Sequence, residues 1–306
     1  MKILITGGAG YKGILLAERL LKLNHNITIL DNFMYGYDSV LHLIKHVNLN
    51  VIKMDIRNIT EKIVKDYDII YHLAGISGMP ACAANPSSAE SINVTATKTM
   101  VNYMSKSQIL INASTSSSYG NFNGKMAYED SDIIPVSIYG KTKYEAEKIV
   151  QDKENAVSLR FATVFGVSPK MRNDLMVNDF TYKSIVERNI VVFCGHSKRT
   201  FVHIDDVIDS YIFVLDNFQI AKNSIYNVGD VSLNFSKIDI ANSIKKYVDF
   251  ELIDSTLPDL DSRDFQVSFE KINRLGFKTK LTLDDGIRDL KTLYNFYRYN
   301  LPYTII

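Results

Sequence analysis

The sequence predicts an α/β fold: a doubly wound parallel sheet, with a smaller, discontinuous α/β region after it. Three observations carry this. Short, continuously apolar runs recur through the first half of the chain, segments of helical period separate most of them, and the rhythm breaks after Phe165. Strands apolar on both faces need cover on both faces, which helices joining parallel strands supply.

The elements follow in order. "KILIT" at 2–6 reads as the first strand, and the next helix carries Leu15, Leu16, Leu20 and Leu23 on its apolar side. Further strands are expected at 27–30, 51–54, 69–74, 109–114 and 157–162, with helices notably at 87–105 and 139–150. "GVSPKMRNDLMVNDF" then brings mixed charge, one proline and no strand period. Beyond it the expected elements are strands at 190–193 and 225–229 and helices near 205–215, 235–247 and 283–297. The expected division is a first domain of 1–165, with 200–225 returning to it, and a second from 166–199 and 226–306. The aromatic end, "LYNFYRYNLPYTII", fits either an oligomer contact or packing on its own domain.

Composition removes several function classes. A net charge of +1, without a long block of one sign, lacks the electrostatic footprint of a nucleic-acid binder. No apolar stretch reaches membrane-spanning length, and "MKILITGGAG" lacks a signal-peptide pattern. Cys82 and Cys194 lie far apart with no C-x-x-C pair, so a cytoplasmic location with reduced, packed thiols is expected.

"GGAGYKG" places Gly7, Gly10 and Gly13 between the first strand and its helix. Such a loop lets backbone N–H groups approach a pyrophosphate at a helix N-terminus. Asp31 closes the second strand eighteen residues after Gly13, where a carboxylate can take both ribose hydroxyls of NAD and repel the extra phosphate of NADP. The expectation is therefore a Rossmann-type sheet binding NAD; a glycine turn with a surface aspartate is the plainer alternative, and the register of loop, helix and acid weighs against it. Asp55, after the third strand, can accept from the adenine amino group or simply close a turn. Lys12 stands where an aliphatic side chain normally packs. It either adds charge to the cofactor site and slows NAD release or points to solvent.

"SIYGKTKYEAEK" holds two overlapping Y-x-x-x-K frames, Tyr139 to Lys143 and Tyr144 to Lys148. Eighteen tyrosines and twenty-five lysines in 306 residues give about 1.5 such pairs by chance, so spacing alone selects neither.

These motifs together resemble the extended short-chain dehydrogenase/reductases, the NAD-dependent epimerase/dehydratase family of nucleotide-sugar enzymes. The likeness spans nearly the whole chain: "GGAGYKG", Asp31, "HLAGISGMP", "SINVTAT", "STSSSYG", "SIYGKTK" and "RTFVHIDDV". It implies Tyr139 and Lys143 as the working pair, because "PVSIYGKTK" fits the family's proline loop, tyrosine, small residue, Ser/Thr and lysine. Positions five apart lie about 140° from one another on a helix, so Tyr144 cannot share that face and is expected to pack. Glu145, Glu147 and Lys148 read as a solvated surface.

The chemistry needs the pair. A sugar hydroxyl must lose a proton near neutral pH as its carbon is oxidised, whereas a free phenol titrates near 10. A cation at about 4 Å in a shielded site is worth about 4 kcal/mol, lowering the phenol by about three on the pKa scale. Lys143, one turn away, can supply it, and Thr115 can orient the hydroxyl. The resemblance also implies Tyr11, Asn32, Ile56, Leu73, Ala74, Gly75 and Asn93 in the cofactor set beside Gly7, Gly10, Lys12, Gly13, Asp31 and Asp55. The sugar-nucleotide set it implies is Thr115, Ser116, Ser117, Asn173, Leu175, Asn178, Arg199 and Arg263, the two arginines clamping the diphosphate. Structural salt bridges are the alternative for each arginine, and Arg172 is a weaker candidate.

The chain departs from one branch. Sugar-nucleotide 4,6-dehydratases follow that threonine with Asp-Glu; here Ser116 and Ser117 stand there. Oxidation at C4 remains. "ISGMPACAANP" and "FATVFGVSPKMRNDLMVNDF" resemble a bacterial branch that builds capsule and other surface polysaccharides, whose members oxidise GDP-manno-heptose at C4. The expected function is thus an NAD-dependent nucleotide-sugar 4-dehydrogenase, against a 4-epimerase and a non-catalytic NAD-binding sensor or scaffold. No metal, nucleic-acid or membrane partner is expected, and a homo-oligomer is.

Overall fold

Apolar, β-branched runs make the strands, and their burial on both faces makes the sheet. The computed structural model describes residues 1–122, 124–255, 257 and 265–299. In chain order the strands are β1 (Lys2–Thr6), β2 (Asn26–Asp31), β3 (Leu49–Lys53), β4 (Ile69–His72), β5 (Ile109–Thr115), β6 (Met126–Ala127) and β7 (Ala156–Phe161). They continue as β8 (Thr163–Phe165), β9 (Asn189–Phe193), β10 (Lys198–His203), β11 (Ser224–Val228), β12 (Asn234–Ser236), β13 (Glu251–Ser255) and β14 (Gln266–Val267). Seven of them form one sheet in the order β11-β7-β5-β4-β1-β2-β3, every pair parallel. The strand order reverses between β1 and β4, which opens a crevice at their carboxyl ends.

One face of the sheet buries Ile3, Ile29, Leu159 and Val228 against Leu16, Leu20, Val207 and Tyr211 of the helices Gly13–Lys22 and Ile204–Asp216. The other buries Leu4, Ile70 and Leu110 against Met100 and Val150 of the helices Ala96–Tyr103 and Ile138–Gln151. Residues after β8 thus return to the main sheet through the helix Ile204–Asp216 and the edge strand β11. A further apolar core joins Phe165, Val177, Phe180, Ile190, Phe201, Ile240, Ile287 and Leu290. The small sheets β12-β10-β8 and β13-β9 accompany it. Tyr294 is fully buried there and its hydroxyl donates to Asn173 Oδ1 at 2.9 Å. The Tyr299 ring lies 4.1 Å from Tyr182, so Tyr294, Tyr297 and Tyr299 pack on this core, while Phe296 between them is exposed.

Four expectations change. The helix expected over 87–105 is interrupted: Met79–Ala84 and Pro86–Glu90 precede a π turn, Ser91–Thr95, and only then does Ala96–Tyr103 follow. The cause is Asn93, whose amide accepts from Ile76 N at 2.8 Å and donates to Ile76 O and Thr142 Oγ1, each at 3.0 Å. The widened turn aims that side chain at Ile76. The helices Lys237–Lys245 and Leu283–Tyr294 are shorter than expected, and each starts at a reciprocal cap, Ser236 with Asp239 and Thr282 with Asp285. Cys194 is exposed in the turn after β9, at φ 48°, and does not pack; Cys82 is buried as expected. Glu147 is not a solvated residue. It is 1% exposed and paired with Arg160, itself 2% exposed, at 2.7 Å. Arg160 arrives from β7, a neighbour that helical period cannot reveal.

Candidate active site

The loop after β1 is shaped for a phosphate. A Cβ on Gly13 would stand 2.4 Å from Gly7 O, so the helix can begin against the loop only without a side chain there. The amides of Tyr11, Lys12 and Gly13 donate to no protein acceptor among the described residues, while the next amide, of Ile14, reaches Gly10 O at 3.1 Å. Three open N–H groups at a helix N-terminus are an anion site. Tyr11 itself is turned away: its hydroxyl donates to Gly166 O at 2.7 Å, which anchors the loop to the segment after β8. Gly13→Ala is expected to displace the loop and weaken NAD binding by tenfold or more, about 1.4 kcal/mol, in a calorimetric titration.

A cleft opens from this loop across the carboxyl ends of the strands. Asp31 walls one end, with Oδ2 accepting from Ala9 N at 3.0 Å and Oδ1 from Phe33 N at 2.9 Å. Burial raises its carboxyl, and those backbone donors and Lys170 oppose the rise. Asn32, Asp55 and Ile56 share this wall. The Arg57 guanidinium grips Asp55 at 2.8 and 2.9 Å and holds its carboxyl down to about 2. Lys170 Nζ donates to Tyr35 O across the cleft mouth. Leu73, Ala74 and Gly75, following β4, form the floor.

The helix Ile138–Gln151 supplies the other end. Ser137 caps it, its Oγ accepting from Gly140 N at 3.1 Å, so Tyr139 falls in the first turn and Lys143 one turn later. A Cβ on Gly140 would stand 2.7 Å from Ser117 O, and the glycine therefore lets the helix press onto the segment after β5. Tyr139 and Lys143 wall the cleft. Tyr144 does not; the Lys148 ammonium covers its ring at 5.0 Å. Lys143 is 7% exposed and, among the described residues, donates to no protein acceptor. Burial lowers its ammonium to about 8, with Glu147 one turn on acting the other way. Ser77 Oγ lies 3.5 Å from the Tyr139 hydroxyl.

Several expected site residues stand elsewhere. Thr115 ends β5 at 7% exposure and its Oγ1 accepts from Ser117 N at 3.1 Å; neither Thr115, Ser116 nor Ser117 walls this cleft. Asn93 lies behind the floor, holding Ile76. Asn178 is fully buried, bonded to Gly166, Tyr11 and Arg172 O. Asn173 accepts from Tyr294, Leu175 caps the helix Met176–Val186, and Arg199 is buried on β10. Arg263 lies outside the described residues.

One contributor escaped the sequence reading, and another stood in it only as a weaker candidate. Ser114 Oγ is buried without a partner and faces the cleft. Arg172 also walls it, held by Asp174 through two 2.7 Å contacts, with Tyr139 among the groups that influence it. A serine one position before the expected threonine was the available signal for the first. Arg172 is the weaker candidate of the sequence reading, and the irregular segment that carries it gives no period to place it. Asp31 and Asp55 are the cleft's only carboxylates among the described residues, and both stand at the end opposite Tyr139.

The open loop amides, the Asp31 carboxylate at the end of β2 and the orphaned Ser114 hydroxyl together fit a dinucleotide. Among the described residues no cluster of His, Cys, Asp and Glu could hold a metal, and no helix is long and apolar enough to cross a membrane.

Comparison with known proteins agrees. The NAD dependent epimerase/dehydratase family model matches residues 3–229. A Bacillus subtilis protein named as an uncharacterized UDP-glucose epimerase is 30% identical over 250 residues, covering 75% of this chain and 77% of its own. UDP-glucuronic acid decarboxylase 1 of Arabidopsis thaliana is 26% identical over 306 residues, 94% of this chain and 68% of its own. The crystal structure of UDP-glucuronic acid 4-epimerase from Bacillus cereus, in complex with UDP-glucuronic acid and NAD, superposes with a TM-score of 0.85 at 25% identity. It covers 96% of this chain and 99% of that one. A doubly wound parallel sheet, a glycine loop open to a dinucleotide and a model match over most of the sequence lead to one conclusion: the chain belongs to the NAD dependent epimerase/dehydratase family.

Proposed function

We propose that this chain is a nucleotide-sugar 4-epimerase, oxidising C4 and reducing it again from the opposite face. The observation that carries the reading is the composition of the reacting end. Tyr139, Lys143 and Ser114 wall it, and among the described residues the cleft's carboxylates, Asp31 and Asp55, stand at the far end. Elimination of water asks for an acid and a base beside the sugar; oxidation of an alcohol asks for one base and an electron acceptor. Likeness to the Bacillus cereus 4-epimerase and the Bacillus subtilis relative supports the same chemistry.

When bound, NAD supplies the two-electron acceptor and donor for C4. Tyr139 takes the hydroxyl proton and returns it. Lys143, one turn on along the same helix, holds ribose hydroxyls. Thr115 orients the sugar hydroxyl, with Ser116 and Ser117 beside it. The loop amides hold the diphosphate, Asp31 the adenosine ribose and Asp55 the adenine. The core around Phe165 and Tyr294 carries the nucleotide-sugar domain, with Arg199, Asn173, Leu175 and Arg263 as its diphosphate and base contacts, while Asn178, fully buried and bonded to Gly166, Tyr11 and Arg172, braces the segment behind them.

A second reading, a 4-dehydrogenase that releases the ketone, is favoured by one observation: Lys12 brings another cation to the reacting end. Incubation with UDP-, GDP- and dTDP-sugars, followed by mass spectrometry and NMR, tests both. A C4 epimer formed without net consumption of NAD is the expected outcome. A ketone accumulating with reduced cofactor overturns epimerisation in favour of the dehydrogenase, GDP-manno-heptose being the first substrate to try. Binding of NAD with no turnover of any sugar supports a sensor or scaffold instead.

A further inference from the structure

The glycine loop carries a side chain that the chemistry above does not use. Lys12 leaves the loop and runs inward, where its ammonium stands 4.5 Å from the centroid of the Phe161 ring at the end of β7. Among the described residues it donates to no protein acceptor. The charged groups that face it are Lys143, from the helix Ile138–Gln151, and Arg172, from the segment after β8. Both are cations. Arg172 is answered by Asp174, but among the described residues no carboxylate faces Lys12. Burial first, then these two neighbours, pull the ammonium down to about 7. The loop's open amides lie at the other end of the same residue, so the backbone meets a diphosphate while the side chain carries charge toward Tyr139 and Lys143.

We propose that Lys12 biases the bound cofactor toward its reduced form. This rests on the reading that the Tyr139–Lys143 end receives the nicotinamide. The oxidised ring is a cation and the reduced ring is neutral. A fixed ammonium in a shielded cleft therefore raises the free energy of the first and leaves the second nearly unchanged. Phosphates, riboses and adenine are common to both forms, so their contacts cancel in the ratio of affinities. With NAD bound, the C4 hydrogen would leave with both C–H electrons as hydride and remove the ring's positive charge, while the hydroxyl proton goes to Tyr139. Lys12 thus relieves its own repulsion when the sugar is oxidised, which prolongs the life of the ketone on the protein.

The test is binding without substrate. NAD and NADH are titrated separately, after removal of any copurified cofactor, into wild type, Lys12→Met, Lys12→Gln and Lys12→Arg, at about pH 6, where the ammonium is charged. The expected result is an approximately tenfold fall in Kd(NAD)/Kd(NADH) for Lys12→Met and Lys12→Gln, with Lys12→Arg near wild type. Equal weakening of both ligands would make Lys12 a diphosphate partner and overturn the proposal. An unchanged ratio in both neutral variants would overturn it too. Thermal melts establish that each variant is folded, and two neutral substitutions guard against loss of one. A Tyr139→Phe protein separates this inference from the reading beneath it. If that protein turns over normally, the assignment of the reacting end fails. If it is inactive while Lys12→Met leaves the ratio alone, only the bias fails.

Discussion

Tyr139→Phe is expected to lower turnover by about 10³-fold while leaving NAD affinity within about threefold of wild type. The substitution keeps the ring and removes only the hydroxyl. Ser137 still caps the helix and Gly140 still lets it press on Ser117, so the position of residue 139 is preserved. What is lost is the group that lies beside Ser77 and one turn before Lys143. Steady-state rates with the sugar nucleotide found in the substrate screen, and a parallel NAD titration, measure the two quantities. Residual turnover within tenfold of wild type would place the base elsewhere. Tyr144→Phe is the control: its ring lies under Lys148, away from the cleft, and no change in rate is expected.

Arg160→Met is expected to cost about 3–5 kcal/mol of stability, the largest loss for a residue outside the cleft. The guanidinium meets Glu147 through contacts at 2.7 and 2.9 Å, donates to the Tyr119 hydroxyl at 2.9 Å and reaches Glu129 O at 3.1 Å. Tyr119 in turn donates to Asn227 Oδ1 at 2.8 Å. Removing Arg160 leaves a carboxylate at 1% exposure without its counter-charge. Among the described residues no other cation hydrogen-bonds it, and Lys143 one turn earlier offers only a longer-range attraction. The double variant Arg160→Met/Glu147→Leu is expected to recover most of the loss, because a buried pair replaced by apolar groups of similar volume is often close to neutral. Urea denaturation of the two variants gives both numbers. A double variant no more stable than the single would show that the remaining hydrogen bonds of Arg160, and not the charge pair, hold β7 to its helix.

The main sheet was legible from the sequence because its signal is local. β1, β4, β5 and β7 are short apolar runs that end at polar or glycine-containing turns, and the structure places each within two residues of expectation. The glycine loop and Asp31 were legible for the same reason: spacing along one strand-loop-helix unit determines where they meet. What depends on distant partners was hidden. The π turn at Ser91–Thr95 exists because Asn93 finds Ile76 and Thr142, and no residue within the turn announces either. Glu147 sits among Glu145 and Lys148 in a run that reads as surface; only Arg160, thirteen residues on and on another element, makes it a core residue. Arg172 was only a weaker candidate, because it reaches the cleft through an irregular segment with no period to follow. Ser114 was passed over because Thr115, beside it, satisfied the motif.

The placement of β11 has a consequence for synthesis. β7 lies between β5 and β11, yet some sixty residues separate the end of β7 from the start of β11. At about 5–20 residues per second, a growing polypeptide holds β7 with one open flank for several seconds before its last neighbour leaves the ribosome. During that interval, exposed main-chain donors and acceptors of an apolar strand can capture another nascent chain. A truncation ahead of Ser224 makes that hazard permanent, so expression of the first 165 residues alone favours aggregates over an isolated nucleotide-binding unit.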